Sequence, residues 1–261
     1  MKRNAITRII IFSVLIFVLL AALIFGLVAD SFHFSFSFGG NNGTYVDGKM
    51  SIASSSIENI HINWAAGSVS IQVADTNEIT FSEVMPSGCK HIMTYEITGK
   101  TLELNYNKSH NIINNVSIPE KDLIITVPKD WNGGKLELNG ASLDIKLENI
   151  SVKTLELNGA SCNLQFTGYV DAVQINGAST HSQLTCLNRV SDIEMNGASC
   201  DLNLVLPKDC GFVLEMDGLS CNLHTDLPGT SADGKTRYGD GHCKISANGM
   251  SCDVTIAAAA E

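Results

Sequence analysis

A short sequence motif returns six times in the second half of the chain, and this repeat restricts the possible folds more than any other feature. Each copy has two alternating apolar residues, then Asn or Asp, Gly, one further residue and Ser. The Asn or Asp lies at positions 139, 158, 176, 196, 217 and 248, so the copies are 19, 18, 20, 21 and 31 residues apart. A degenerate earlier copy spans residues 60–69. A period near 20 residues is typical of repeat proteins, in which each unit packs against the next.

The alternation within each copy predicts β-strands. Leu155 and Leu157 share one face before the Asn-Gly pair, and Cys162 and Leu164 share one face after it. Period two indicates a strand, and the Asn-Gly pair predicts a tight turn in which glycine takes a positive φ. The sequence therefore predicts an all-β, single-stranded β-solenoid (β-helix) with coils of about 20 residues, stacked about 4.8 Å apart. Residues 51–256 would give about ten coils and a rod roughly 50 Å long.

Stacked coils would place equivalent polar residues above one another, which predicts two ladders. The asparagine amides would bond from coil to coil, and the serine hydroxyls would form a parallel ladder beside them, because buried polar groups need partners. Six equivalent serines without a recognisable histidine partner favour a scaffold role over a catalytic nucleophile, so no catalytic residue is predicted. The asparagines are Asn139, Asn158, Asn176, Asn196 and Asn248, and the serines are Ser142, Ser161, Ser179, Ser199, Ser220 and Ser251.

The beginning of the chain predicts a membrane anchor. Residues 9–29 contain no charged residue, and a helix of this length spans about 31 Å, which matches a bilayer core. Three basic residues precede it, so the positive-inside rule predicts a cytoplasmic tail at 1–8 and an extracytoplasmic C-terminal domain. The expected location is the cell membrane, with a single pass. The alternative is a cleaved signal peptide, although Leu27 is large where a cleavage site prefers a small residue.

The rest of the chain divides by composition. Residues 30–50 have phenylalanine at every second position from Phe32 to Phe38, followed by a linker rich in Gly and Asn. This alternation predicts a strand next to the membrane, with a partner-binding edge as the alternative. Residues 51–256 form the predicted β-solenoid ectodomain, and residues 257–261 form a short tail.

The charge balance argues against nucleic acid as a partner. The chain has 17 basic and 27 acidic residues, a net charge of −10. Beyond residue 30 there are 14 basic and 26 acidic residues, a net charge of −12. Proteins that bind nucleic acid need a basic face to replace the counterions of the phosphates, whereas an acidic surface repels anionic polymers.

The eight cysteines are predicted to be mostly reduced residues of the core. Cys162, Cys200, Cys221 and Cys252 occupy one repeat position and share the inward side with apolar neighbours. A free cysteine packs as a small hydrophobic residue. Because the domain is predicted to be exported, disulfides between neighbouring coils, for example Cys200 to Cys221, are the alternative. No zinc site is predicted, since Cys and His residues that are close in sequence point to opposite strand faces.

Two positions of the repeat are predicted to point away from the core, and stacking would align each of them into a column of polar side chains. These two columns raise the questions of metal binding and catalysis. Four copies have a carboxylate two positions before the motif's Asn or Asp, and a bound cation such as calcium would relieve their repulsion. A solvated acidic face is the interpretation that we favour, and no cofactor is predicted. Glycoside hydrolases use paired carboxylates, but stacking makes such pairs unavoidable, so they are weak evidence for an enzyme. The carboxylate column is Glu137, Glu156, Glu194 and Glu215, and the second column is Asp144, Asn163, His181, Asp201, Asn222 and Asp253.

Three further sequence features carry a family resemblance. They are the recurrent Asn-Gly-x-Ser-Cys motif followed by an alternating strand, strands ending in Pro-Lys-Asp at 128–130 and 207–209, and the run Tyr238-Gly-Asp-Gly241. With these features, residues 55–256 resemble the bacterial putative-adhesin family of β-strand-repeat proteins, whose function is unknown. The resemblance implies a right-handed β-solenoid and supplies no catalytic residue.

Together these observations predict a membrane-anchored surface module for adhesion, interaction or structure. The expected partners are the membrane, through the N-terminal helix, and a cell-wall polysaccharide or an envelope protein. The first alternative is a sensing or regulatory ectodomain for the cell envelope. The second alternative is a carbohydrate-active β-helix enzyme. Fold alone does not decide between these functions.

Overall fold

The computed structural model describes residues 43–108, 118–232 and 234–259. These residues form one hydrogen-bonded sheet of thirteen strands, and their one helical element is the short 3-10 helix Ser54–Ser56. The strands are β1 (Thr44–Tyr45), β2 (Met50–Ala53), β3 (Asn59–Ala74), β4 (Glu78–Val84), β5 (Thr94–Thr98), β6 (Thr101–Asn105), β7 (Lys121–Pro128), β8 (Asn132–Cys186), β9 (Asp192–Leu206), β10 (Phe212–His224), β11 (Thr230–Ala232), β12 (Lys235–Tyr238) and β13 (Cys243–Ala258).

Successive copies of the motif stack in parallel and in register. β8 alone has 55 residues and contains the copies at 139, 158 and 176, and β9 continues with the copy at 196. Asn176 pairs with Asn196, and Gly177 pairs with Gly197. Every second side chain points inward, as for Ile175, which is fully buried. The period of two and the fixed repeat length therefore place like residues over like residues.

The tight turn predicted at the Asn-Gly pair is wrong. β8 continues through Gly159 and Gly177 as extended chain, and neither glycine has a positive φ. Lack of space requires glycine here: a Cβ atom on Gly177 would lie 2.9 Å from the carbonyl oxygen of Gly159 and 2.0 Å from Thr180 Cγ2. Glycine therefore stacks on glycine because this corner of the coil has no room for a side chain.

The last coil of the chain is not the last coil of the stack. β13 lies between β9 and β10, so Asn248 pairs with Asn196 on one side and with Asp217 on the other. The 31-residue step between the last two copies contains β11 and β12, and it gives the chain the length to turn back into the stack. The coil of β10 therefore forms the end of the stack.

The first coils show the same exchange of order. β3 lies between β6 and β8, so Asn63 pairs with Asn105 as well as with Asn139. β6 contains Leu102-Glu-Leu-Asn105, which matches the first half of the motif. This copy was not predicted, because Tyr106 follows its Asn in place of the expected Gly.

Antiparallel strands cover the outer edge of the first coil and a short part of the outer edge of the last coil. A uniform series of 20-residue coils would not contain these covering strands. β5 pairs with β6, and β4 pairs with β7, so both strands of the first coil are covered. At the other end β12 pairs with β10 only along Phe212–Glu215. The outer edge of β10 from Met216 to His224, named the open edge, has no strand partner within the described chain. Leu219 on this edge is 80% exposed.

The predicted fold class is wrong in its first element, the transmembrane helix. The described chain is all-β, and within residues 43–108, 118–232 and 234–259 no helix is long and apolar enough to cross a membrane. The prediction rested on the apolar composition of residues 9–29, and composition alone does not establish a helix. Residues 9–29 lie outside the described residues, as do the predicted tail at 1–8 and the strand over Phe32–Phe38.

A buried lysine, Lys121, lies in the core of the covered end of the stack, the end where β5 and β4 pair with β6 and β7. Lys121 Nζ donates hydrogen bonds to Glu83 Oε2 at 2.5 Å and to the carbonyl oxygens of His91 and Tyr106 at 2.6 Å each. It also lies 4.0 Å from the ring centroid of Tyr106 and 4.7 Å from that of Trp64. Burial lowers the pKa of Lys121, and the hydrogen bond and charge of Glu83 oppose that shift. The Lys121 ammonium group therefore contacts three hydrogen-bond acceptors and two aromatic rings inside the core of the covered end.

Candidate functional site

An asparagine ladder runs along the stack, which confirms the predicted amide ladder. Each Nδ2 group donates a hydrogen bond to the Oδ1 atom of the asparagine one coil away. The bonds are Asn158 to Asn139 at 3.0 Å, Asn176 to Asn158 at 2.9 Å, Asn196 to Asn176 at 3.1 Å and Asn248 to Asn196 at 3.0 Å. Because each side chain is both donor and acceptor, the ladder satisfies its own polar groups. It holds the coils together and leaves little capacity for a ligand.

The predicted carboxylate column lies beside the asparagine ladder. Lys135 Nζ bridges Glu137 and Glu156 at 2.8 and 2.7 Å, and Lys235 pairs with Glu215 at 2.9 Å. Burial alone would raise the pKa of Glu137, but hydrogen bonds from Lys135 and from the ladder amide lower it overall. Each of the four carboxylates has a hydrogen-bond or ion-pair partner in the protein, and the calcium hypothesis stays a prediction. Ladder amides donate to the Oε1 atoms of Glu137, Glu156 and Glu194 at 3.0, 2.8 and 2.9 Å.

A polar groove runs along the stack beside the glycine corner, and this groove is the candidate site. It extends across the coils from Asp122 to Asp201 and has a volume of about 410 Å³. Consecutive coils contribute one column of in-register residues to its wall. At about 4.8 Å per step, the five steps of this column make the groove about 24 Å long. The column is Asp122, Ser68, Asp144, Asn163, His181 and Asp201.

A row of serine hydroxyls forms the other wall of the groove, and these hydroxyls do not form the predicted ladder. In the described part of the chain, no hydrogen bond joins Ser142, Ser161, Ser179 and Ser199 to one another, and all four are exposed. A coil spacing of about 4.8 Å exceeds the reach of a hydroxyl-to-hydroxyl bond, which is roughly 3 Å. The longer asparagine side chain bridges the same gap. The serine hydroxyls are therefore free to bind a ligand.

The groove is acidic and rich in hydrogen-bond acceptors. Ser68 Oγ donates to Asp122 Oδ1 at 2.7 Å, and His181 Nδ1 lies 3.7 Å from Asp201 Oδ2. The Oδ1 atom of Asn163 is shielded from solvent and has no hydrogen-bond partner among the described residues. Such a surface accepts hydrogen bonds from hydroxyl or amine groups and repels anions.

The thiol in the groove wall is a poor candidate for covalent catalysis. Cys162 is buried beneath the serine row, and its burial raises the pKa of the thiol to about 11. A cysteine nucleophile acts as the thiolate, and this thiol stays protonated near neutral pH. Cys162 is therefore a poor nucleophile at neutral pH.

The cysteines at the repeated position are core residues, as predicted, except on the terminal coil. Cys162, Cys200 and Cys252 are buried, whereas Cys221 on β10 is half-buried. The difference follows from the open edge, which leaves one side of the terminal coil uncovered. All eight cysteines of the described chain are free thiols.

Residues 57–258 match the sequence profile of the Toastrack DUF4097 family. The chain belongs to this family. The Toastrack match covers nearly the same residues as the predicted resemblance to β-strand-repeat adhesins, and it confirms that resemblance. No curated protein matches the sequence.

Two solved structures resemble this Toastrack chain. One is a putative cell adhesion protein from Clostridium sporogenes, at 14% identity and a TM-score of 0.49, with 83% of this chain and 100% of the other covered. The second is a putative adhesin from Bacteroides fragilis, at 10% identity and a TM-score of 0.38, with 84% and 99% covered. These likenesses are too distant to carry an argument about the function of the Toastrack chain described above.

The sequence predicted one column of residues in the polar groove but not the concave shape of the groove. The column from Asp144 to Asp201 was identified as an outward column, but Asp122 and Glu120 were missed because β7 lies outside the regular repeat. The concave corner also went unrecognised. Alternation predicts which side chains point outward, but it does not predict that the serine column and the column from Asp144 to Asp201 enclose a concave surface.

Proposed function

We propose that this protein is a surface interaction module that binds an extended, hydroxyl-rich polymer along the polar groove. The observation that carries the proposal is the row of unpartnered serine hydroxyls at one-coil spacing, opposite a column of acceptors. A periodic row suits a ligand that is itself periodic, since each unit of the ligand can meet an equivalent set of groups. A cell-wall polysaccharide has this chemistry, and an envelope protein is the other partner class.

The negative charge of the groove restricts the classes of polymer that it can bind. Among the described residues that line the groove, four are carboxylates and one, His181, is basic. The carboxylates are Glu120, Asp122, Asp144 and Asp201. Anionic wall polymers and nucleic acids would be repelled. We therefore expect a neutral or amine-bearing polysaccharide, whose hydroxyl and amine groups donate to these carboxylates.

A substitution that blocks the groove tests the proposal. Ser161→Leu places an apolar side chain in the middle of the serine row and removes one hydroxyl, and we expect about tenfold weaker binding, as for the loss of one to two hydrogen bonds. Purified cell-wall fragments and a soluble neutral polysaccharide serve as probes in sedimentation and calorimetry. Gln165→Leu is the matched control, because Gln165 is exposed on the same coil outside the groove.

The outcomes separate the candidate functions. Retention of both probes by the wild type, with loss in Ser161→Leu alone, supports groove binding. Absence of binding to either probe, or an equal loss in Gln165→Leu, contradicts it. Release of new reducing ends from the bound polysaccharide would instead favour a carbohydrate-active enzyme. A sensing ectodomain stays a prediction from the sequence.

The proposal includes a location outside the cytoplasmic membrane, where a cell-wall ligand is accessible. Lysines such as Lys153 are exposed on the coils, so they can be labelled when the domain is outside. A membrane-impermeant amine reagent added to intact cells should label the protein. Labelling only after cell lysis would contradict this part of the proposal.

A further inference from the structure

Three cysteines from the last three coils of the stack lie above one another. Cys252 pairs in register with Cys200 on β9 and with Cys221 on β10. Cys221 and Cys252 therefore lie directly opposite each other on neighbouring parallel strands. Adjacent strands of a sheet are about 4.8 Å apart, within the Cα separation that a disulfide spans. Either neighbour of Cys252 could therefore be its partner by backbone distance alone.

The surroundings of the two neighbours distinguish them. Cys200 is fully buried, and its sulfur accepts a hydrogen bond from the Thr180 hydroxyl at 3.1 Å. Cys221 is half-buried and lies on the open edge, where β10 has no outer strand. An oxidant can therefore reach Cys221 first. The open edge also allows β10 to make the small shift that a bond between its sulfur and that of Cys252 requires.

We infer that Cys221 and Cys252 form a redox-active thiol pair whose disulfide staples the terminal coil to the coil beneath it. The reaction needs a disulfide oxidant of the glutathione type. Cys221 attacks the oxidant to give a mixed disulfide and one free oxidant thiol. Burial raises the pKa of the Cys252 thiol to about 12, so its attack follows the shift of β10 that exposes it to solvent. Cys252 then gives its proton to water, attacks the Cys221 sulfur as the thiolate and releases the second thiol. The protein loses two protons and two electrons, and the oxidant becomes two thiols.

The staple would act on a largely exposed segment of the domain. The segment between the two cysteines contains β11, β12 and the loops around them, most of which is exposed. A bond from β10 to β13 closes this segment into a loop and restricts its opening. We therefore expect the oxidised protein to resist proteolysis between residues 222 and 251 better than the reduced protein does.

Thiol counting and peptide mapping on the full chain test the inference. In an oxidising glutathione buffer the free thiol count should fall from eight to six, with a mass loss of about 2 Da. Digestion with trypsin and Glu-C separates the relevant cysteines, because Glu215 lies between Cys210 and Cys221. The linked product should join peptide 216–235 to peptide 245–261, and dithiothreitol should separate them.

Variants provide the controls. Cys221→Ser should keep the seven remaining thiols free, whereas Cys200→Ser and Cys89→Ser should still form the bond. Eight free thiols after oxidation of the wild type would overturn the inference, and so would a mapped link between any other pair of cysteines. Because the peptide map of the wild type identifies the linked cysteines, the inference can be tested even when a variant fails to fold.

Discussion

Replacing Gly197 by alanine is expected to lower the free energy of unfolding by about 3 kcal/mol, the upper part of the range for overpacking in a core. The new Cβ atom would lie 1.8 Å from Cys200 Sγ and 2.5 Å from the carbonyl oxygen of Gly177 in the neighbouring coil. Cys200 is fully buried and the carbonyl belongs to the backbone, so relief requires the coils to separate. Urea unfolding followed by tryptophan fluorescence measures the loss.

The same repeat position supplies a matched control in Gly159→Ala. Its Cβ atom would meet Cys162 Sγ at 2.1 Å, but the carbonyl oxygen of Gly140 would be 3.5 Å away, an ordinary contact. We expect a loss of about 1 kcal/mol, because only a side chain must move. Adding Cys162→Ala should remove most of this overpacking. Equal stability of Gly197→Ala and the wild type, within about 0.5 kcal/mol, would show that the coils are not packed as described.

The second large effect is expected for Lys121→Met at the covered end of the stack. Removing the cation leaves the Glu83 carboxylate, 5% exposed in the folded protein, without its charged partner. Breaking a buried ion pair in this way destabilises proteins by about 3–5 kcal/mol. The double variant Glu83→Met with Lys121→Met should be more stable than Lys121→Met, because it leaves no unpaired charge. The free energies of unfolding of the single and double variants, measured by thermal and urea unfolding, are compared in a double-mutant cycle.

An exposed ion pair serves as the control for that cycle. Lys129 lies 3.7 Å from Asp75, and both side chains are largely exposed. Exposed pairs contribute about 0–1 kcal/mol, so Lys129→Met should change stability little. A double variant at positions 83 and 121 that is no better than Lys121→Met would contradict the view that an unpaired carboxylate causes the loss.

The sequence was most informative where the structure is most regular. The motif spacing predicted which residues stack. The asparagine ladder follows from that spacing and from the ability of a side-chain amide to donate and to accept a hydrogen bond. The inward cysteines were predictable from alternation alone. These inferences succeeded because in-register stacking places equivalent residues of neighbouring coils next to one another, so one copy of the motif shows which residues surround the next.

The ends of the stack were not predictable from the repeat. The places of β3 and β13 in the stack depend on pairing between distant segments, and no local pattern specifies that choice. Lys121 was also missed, since a lone lysine in sequence gives no sign of the carboxylate and carbonyl groups that surround it. The groove could not be predicted because alternation shows which side chains point outward but not the concave surface between two outward columns.

The order of the last three coils tests the account most directly. In a uniformly labelled sample, nuclear Overhauser contacts should connect the side-chain amides of Asn196 and Asn248. The backbone amides of β13 should show contacts to both β9 and β10. Direct contacts between β9 and β10, with β13 outside them, would mean that the coils stack in sequence order. That result would contradict the described stack and the thiol pair at its end.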